Sequence, residues 1–179
     1  MPQRPAALLP IAVVLVSVFC ALPARAQVPP EEEAGWQSDV GGLSHFSGLR
    51  CPDTIGSFYR VKAMASDGVS LAGCIYTGQD GLTAVLRKHL LGTGRREALA
   101  FSRNYKSAGF EPVKMSGAAA SGISFRTRNW TPSSLLETFW YFSGEKADYT
   151  LWIAYTLPAQ EGEVGPALEV FTDALALQN

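Results

Sequence analysis

Hydrophobic and polar residues alternate most regularly over residues 135–157, which contain two long apolar runs. The polar segment 143–147 separates these runs, and this composition predicts an antiparallel hairpin with a short connection. With a four-residue loop, the predicted cross-strand pairs are Leu136 with Tyr155, Thr138 with Ile153, Trp140 with Leu151 and Phe142 with Tyr149. These pairs share one apolar face. Aromatic residues also occupy the opposite face, so both faces of the hairpin require cover.

A group of shorter strands is predicted upstream of the hairpin. The segments with strand composition are 55–64, 70–77 and 82–90. Asp67-Gly68 and residues 79–81 supply the turns between them. In the first of these strands, alternation places Tyr59, Val61 and Ala63 toward the core. Three consecutive strands with tight turns predict a meander.

Helical periodicity occurs twice. Residues 95–108 carry apolar side chains three and four positions apart, at Ala98, Phe101, Tyr105 and Ala108. Gly109 follows at the position of a left-handed C-terminal cap. Gly165-Pro166 fits the start of a second helix, whose buried stripe is Leu168, Phe171 and Leu175. A further strand over residues 123–128 lies between the first helix and the hairpin.

The resulting element order is βββ-α-βββ-α, which predicts an α+β domain. We expect about six antiparallel strands, with helices on both faces in a three-layer sandwich. The chain resembles the superfamily of PsbP-like and Ran-binding import-factor α/β/α sandwiches. The segments that carry this resemblance are FYRVKAM, SLAGCIYT, LTAVLRKHL, ETFWYFSGEKADYTLWIAYTL and ALEVFTDALAL. The resemblance implies the fold and transfers no activity and no site residue.

The first 26 residues have the features of a cleaved signal peptide. Arg4 supplies positive charge, residues 11–22 form an apolar core, and Ala24-Arg25-Ala26 form a small-residue cleavage site. The apolar run is shorter than the ~20 residues that a membrane span requires. Cys20 leaves a lipoprotein as the alternative, although a bulky residue precedes it where a lipobox needs a small one. We therefore expect a periplasmic or secreted protein, cleaved after Ala26.

Residues 27–50 are predicted to form a flexible acidic leader, and residues 51–179 a single α+β domain. The leader contains a Pro-Pro pair and the acidic run 31–33. Trp36 and Phe46 are its apolar exceptions, and docking of these two rings on the domain is the alternative to a mobile leader.

Charge argues against a nucleic-acid partner, and hydropathy argues against a transmembrane segment in the mature chain. The chain contains 15 Lys and Arg against 16 Asp and Glu, and removal of Arg4 and Arg25 with the signal segment leaves a net acidic mature chain. Binding to nucleic acid requires a clustered basic surface, so no nucleic-acid partner is expected. No other stretch is long and apolar enough to span a membrane, so no transmembrane segment is predicted in the mature chain.

Cys51 and Cys74 are the cysteines that remain after cleavage. In an exported protein an even pair predicts a disulfide bond. Two buried thiols that never meet are the alternative. The absence of a C-x-x-C spacing argues against a redox-active role.

A candidate anion-binding segment precedes the first helix. It consists of Gly92, Thr93, Gly94, Arg95 and Arg96. Glycines before a helix can direct backbone N–H groups at an anion, and the helix dipole also favours negative charge there. The spacing is not that of a P-loop. A flexible turn with a solvated arginine pair is the alternative.

A candidate partner surface is formed by Trp130 with Arg126 and Arg128. Trp130 lies in a proline-containing turn, where an exposed ring would serve as a contact. His45 and His89 do not have metal-ligand spacing, and His89 is expected to be an exposed residue at a strand end. The sequence predicts no catalytic residue, no metal site and no cofactor.

These observations favour a non-enzymatic exported domain that binds a small ligand or an unknown envelope protein. A small hydrolase with an unrecognised site is one alternative, because its carboxylates could converge around the hairpin ends. A structural or inhibitory partner of another envelope protein, acting through a sheet edge or the Trp130 surface, is the other.

Overall fold

A computed structural model describes residues 34–127 and 134–178 of the chain. The protein is mostly β and contains an eight-stranded antiparallel sheet and a three-stranded sheet. The predicted signal peptide and its cleavage site lie outside the described residues.

The three-stranded sheet is built by residues that the sequence assigned largely to the flexible leader. Its strands are β1 (Trp36–Asp39), β2 (Gly42–His45) and β3 (Arg50–Pro52). Trp36 is 1% exposed, and its indole N–H donates to the carbonyl oxygen of Met64 at 3.3 Å. The ring therefore docks on the domain, in agreement with the docking alternative for this residue. Phe46 remains 80% exposed.

The large sheet runs through the rest of the domain. Its strands are β4 (Thr54–Ile55), β5 (Phe58–Met64), β6 (Ala72–Gly78), β7 (Thr83–Leu90), β8 (Glu111–Val113), β9 (Ile123–Arg126), β10 (Ser134–Ser143) and β11 (Ala147–Leu157). Their spatial order is β4-β5-β6-β7-β11-β10-β9-β8, with every neighbouring pair antiparallel. The predicted meander corresponds to β5, β6 and β7.

The predicted βββ-α-βββ-α sandwich of about six strands is therefore wrong. The sheet is longer because β4 and β8 extend its two edges, and the three-stranded sheet adds further strands. β4 has two residues and β8 has three, too few for an alternating pattern to be recognised. β8 also contains Pro112, which a sheet accepts at an edge strand but which argues against a strand in the sequence.

The register predicted for the central hairpin is confirmed. The observed pairs are Leu136 with Tyr155, Thr138 with Ile153, Trp140 with Leu151 and Phe142 with Tyr149. Leu136, Leu151 and Ile153 are fully buried. β11 also pairs with β7, so the hairpin lies in the middle of the sheet.

The inward face predicted for β5 is wrong at two positions. Tyr59 is 49% exposed and Val61 is 60% exposed, whereas Phe58 is buried. The register shifts between Arg60 and Lys62, so a simple alternation does not continue along the strand.

Two α-helices pack on opposite faces of the large sheet. They are α1 (Gly94–Ser107) and α2 (Val164–Ala176). In α1, the ring of Phe101 stacks on Phe139, with 4.4 Å between ring centroids. In α2, the ring of Phe171 packs edge-on against Phe58 and Tyr76. The chain leaves α1 through Gly109, whose positive φ of 81° fits the predicted cap.

Cys51 in β3 and Cys74 in β6 form a disulfide that joins the two sheets, with 6.3 Å between their Cα atoms. This separation lies within the range of ordinary disulfides. Among the described residues, none of the helices has the length and apolar character needed to cross a membrane.

Candidate functional site

Helix α1 covers only part of its sheet face and leaves a groove of about 420 Å³ along its edge. One wall is α1, the floor is formed by β7, β10 and β11, and the turn between β5 and β6 closes one end. We call this space the α1 groove. Its apolar lining consists of Val69, Val85, Ala100, Phe101, Phe139 and Trp152, and its polar lining of Asp67, Ser70, Arg87, His89, Glu97, Asn104 and Thr150.

Three aromatic rings belong to the apolar lining of the α1 groove. Strand pairing places Phe139 and Trp152 side by side on the floor. Phe101 reaches down from α1, stacks on Phe139 and meets Trp152 edge-on at a centroid distance of 5.4 Å. Phe139 is buried, whereas Trp152 is only partly covered. The groove therefore presents the rings of Trp152 and Phe101 to a ligand.

A fixed ion pair lies at the polar end of the groove. The Asp67 carboxylate accepts hydrogen bonds from the backbone N–H groups of Val69 and Ser70, at 3.1 and 2.7 Å, and from the Ser70 hydroxyl at 2.9 Å. Arg87 donates to both Asp67 and the Ser70 hydroxyl. Burial alone would raise the pKa of Asp67, but these hydrogen bonds outweigh it and hold that pKa well below its ordinary value.

His89 lies beside this ion pair. It is 3% exposed, so its predicted exposure at a strand end is wrong. Its Nδ1 is 3.4 Å from the carbonyl oxygen of Val69, and its Nε2 is 2.9 Å from the Thr150 hydroxyl. The carbonyl can only accept, so Nδ1 carries the proton and Nε2 accepts from Thr150. Burial lowers the pKa of His89, which keeps the imidazole neutral near pH 7.

The groove contains Ser, His and Asp, but their contacts do not form a nucleophilic relay. Such a relay requires a base bonded to the nucleophile and an acid that orients the base. Here Asp67 bonds to Ser70 rather than to His89, and His89 bonds to Thr150, which is 3% exposed. Within the described ranges, no group of three or more His, Cys, Asp or Glu side chains is placed to hold a metal ion.

The predicted anion-binding segment lies at the N-terminus of α1, next to the groove. Gly94 is buried, and its backbone N–H donates to Oδ2 of Asp148 at 2.7 Å. The helix end therefore already faces an internal carboxylate. Arg95 and Arg96 are exposed, and Arg96 lies 3.4 Å from Glu97. An external anion at this helix end has to compete with Asp148.

The remaining residues of that segment have local roles. Gly92 adopts a positive φ of 78° in the turn that leads to the helix. Thr93 donates its hydroxyl to the carbonyl oxygen of Leu90 at 2.7 Å. These contacts shape the turn, and binding of an anion by residues 92–96 stays a prediction.

Of the three residues of the predicted partner surface, the structure describes Arg126 alone. Arg126 is in β9 and lies 3.6 Å from Glu111 in β8, where the pair joins the two strands at the sheet edge. Arg128 and Trp130 lie outside the described residues. The use of this surface by a partner stays a prediction.

The α1 groove is not predicted from the sequence because its residues come from distant parts of the chain. Arg87 and Thr150 are cross-strand neighbours, and so are Val85 and Trp152. The usable signal is the alternation of the third strand, which places Val85, Arg87 and His89 on one face. Pairing that strand with the hairpin in the correct register would have brought these residues together.

Comparisons of the chain with protein-family models, with curated proteins and with solved structures gave no match. The resemblance to the PsbP-like superfamily therefore stays a prediction.

Proposed function

We propose that this chain is an exported, non-enzymatic binding domain whose ligand occupies the α1 groove. One observation carries the proposal: partly open aromatic rings and an ordered polar cluster line the same concave site. Ligand sites in proteins are concave and largely apolar, with a few fixed polar groups that orient the ligand. A volume of about 420 Å³ suits a small organic molecule.

The groove is also largely preorganised. Phe101 is held by rings on both sides, and Arg87 is fixed by Asp67 and Ser70. A ligand that enters therefore does not have to order these side chains, which reduces the entropy lost on binding. The contacts of Asp67, Ser70 and His89 favour binding over hydrolysis, because no relay joins them.

Export is the second part of the proposal. The N-terminal apolar segment with its cleavage site after Ala26 supports it. The Cys51–Cys74 disulfide agrees with an oxidising compartment. The mature protein is then periplasmic or secreted, where it would act as a ligand-binding accessory of the cell envelope.

Blocking the groove provides the test. Ala100 lines the groove from α1, so Ala100→Trp fills it, whereas Leu99→Trp adds a similar ring at an exposed neighbouring position. A panel of small aromatic molecules is screened by two-dimensional ¹⁵N–¹H NMR against the mature wild type and both variants. We expect shifts around the groove in wild type and Leu99→Trp, with loss of these shifts in Ala100→Trp.

The opposite outcomes refute the proposed site. Shifts that centre elsewhere, or that survive equally in Ala100→Trp, place the ligand outside the groove. An unchanged melting temperature of Ala100→Trp is required, so that loss of binding is not loss of folding.

A further inference from the structure

We infer that the ligand of the α1 groove is an organic cation, an ammonium group attached to an aromatic or apolar body. This inference rests on the proposed function and adds to it the charge of the ligand. It follows from which polar groups of the groove are already satisfied and which remain open to a ligand.

The positive charge in the described lining is already neutralised. Arg87 donates through Nη1 to Asp67 and Ser70, and its Nη2 lies 3.6 Å from the sulfur of Met64. His89 adds no charge near neutral pH. Asp67 and Arg87 therefore cancel each other, and an anionic ligand finds no uncommitted cation among these residues.

The negative charge is not fully neutralised. Glu97 lines the groove from α1, and its side chain is 18% exposed. Its ion-pair partner Arg96 is 73% exposed and lies 3.4 Å away, which makes a weak, solvent-screened pair. Glu97 and Asn104 both line the groove from α1. The partly covered Glu97 carboxylate therefore supplies negative charge to this wall, and the amide oxygen of Asn104 can accept a further hydrogen bond.

The aromatic lining matches the same kind of ligand. The face of a Trp or Phe ring attracts a cation through its quadrupole, and Trp is the strongest of the aromatic side chains. Trp152 and Phe101 meet edge-on, so their faces point in different directions around the groove. An ammonium group between Glu97 and Trp152 gains both the charge attraction and the ring attraction, while the body of the ligand contacts Val85 and Ala100.

The test compares two probes of similar size and opposite charge, phenethylamine and phenylacetate. Both are titrated by NMR into the mature wild type and into Glu97→Gln and Trp152→Leu. Glu169→Gln, an exposed change on α2, is the matched control. We expect phenethylamine to bind roughly tenfold more tightly than phenylacetate, and each groove variant to weaken phenethylamine roughly fivefold. The control should bind as wild type does.

The outcomes distinguish failure of the cation inference from failure of the proposed function. If phenylacetate binds in the groove as tightly as phenethylamine, the cation inference is wrong and the groove remains a binding site. The same conclusion follows if Glu97→Gln binds phenethylamine as wild type does. If neither probe shifts the groove resonances at millimolar concentration, the cation inference and the proposed function both fail.

Discussion

Replacement of Trp36 tests whether the hairpin formed by β1 and β2 contributes to the core. The ring is 1% exposed, and truncation of a buried Trp to Ala costs about 3–5 kcal/mol through lost burial and the cavity left behind. Loss of the 3.3 Å hydrogen bond to the Met64 carbonyl adds about 1 kcal/mol. The sum is a large part of the ~5–15 kcal/mol that stabilises a typical domain. We therefore expect Trp36→Ala to unfold at a much lower urea concentration than wild type.

Phe46→Ala is the matched control, because it removes an aromatic ring from the same part of the chain. Phe46 is 80% exposed, so its loss should change the free energy of unfolding by less than about 1 kcal/mol. Urea unfolding is followed by far-ultraviolet circular dichroism, since Trp36→Ala removes a fluorescent reporter. Equal urea midpoints for Trp36→Ala and wild type would show that Trp36 does not pack in the core. Residues 34–50 would then be a mobile leader.

Three further changes test the interior and the disulfide. Asp148→Ala leaves the buried Gly94 N–H without its acceptor and should lower the free energy of unfolding by about 1–3 kcal/mol; a change below about 0.5 kcal/mol would contradict this role. His89 has a lowered pKa in the fold, so the unfolded chain takes up its proton first as the pH falls below about 6.5. Wild type should therefore lose stability between pH 7 and pH 5 more steeply than His89→Gln, and parallel curves would show that His89 is not the cause. Alkylation of the unfolded, unreduced mature protein should label neither Cys51 nor Cys74, and reduction should cost about 3 kcal/mol for a loop with a sequence separation of 23; stoichiometric labelling before reduction would contradict the bond.

The parts of the fold that the sequence predicts well are those with long, strongly periodic patterns. β10 and β11 have ten and eleven residues, so alternation over many positions defines their register. α1 and α2 present apolar residues at helical spacing over more than three turns. In these elements, local pattern and tertiary packing agree.

The parts that the sequence does not predict are short strands with at most two buried residues each. In β1 only Trp36 is buried, and the next three residues are exposed, so the strand resembles a polar leader. Trp36 is held by contacts with residues far along the chain, such as Met64, which no local pattern reveals. β5 fails for a related reason, because a register shift after Arg60 interrupts the alternation.

The candidate site is not predicted from the sequence because tertiary packing, not local pattern, brings its residues together. His89 and Arg87 look like polar residues at the end of an exposed strand until β11 and the turn at Asp67 are placed beside them. In the predicted anion-binding segment, the Gly94 N–H donates to a carboxylate. Sequence could not show that this carboxylate, Asp148, comes from the chain itself.

The most direct test of the central claim is the position of a bound probe. Phenethylamine is added to the mature protein, and contacts between the protons of the probe and the protein are measured by nuclear Overhauser effects. The account predicts contacts from the phenyl ring to Phe101 on α1 and Trp152 on β11 together, because both rings line the α1 groove and lie 5.4 Å apart. Contacts confined to the opposite face of the sheet, such as the α2 residues around Phe171, would contradict it.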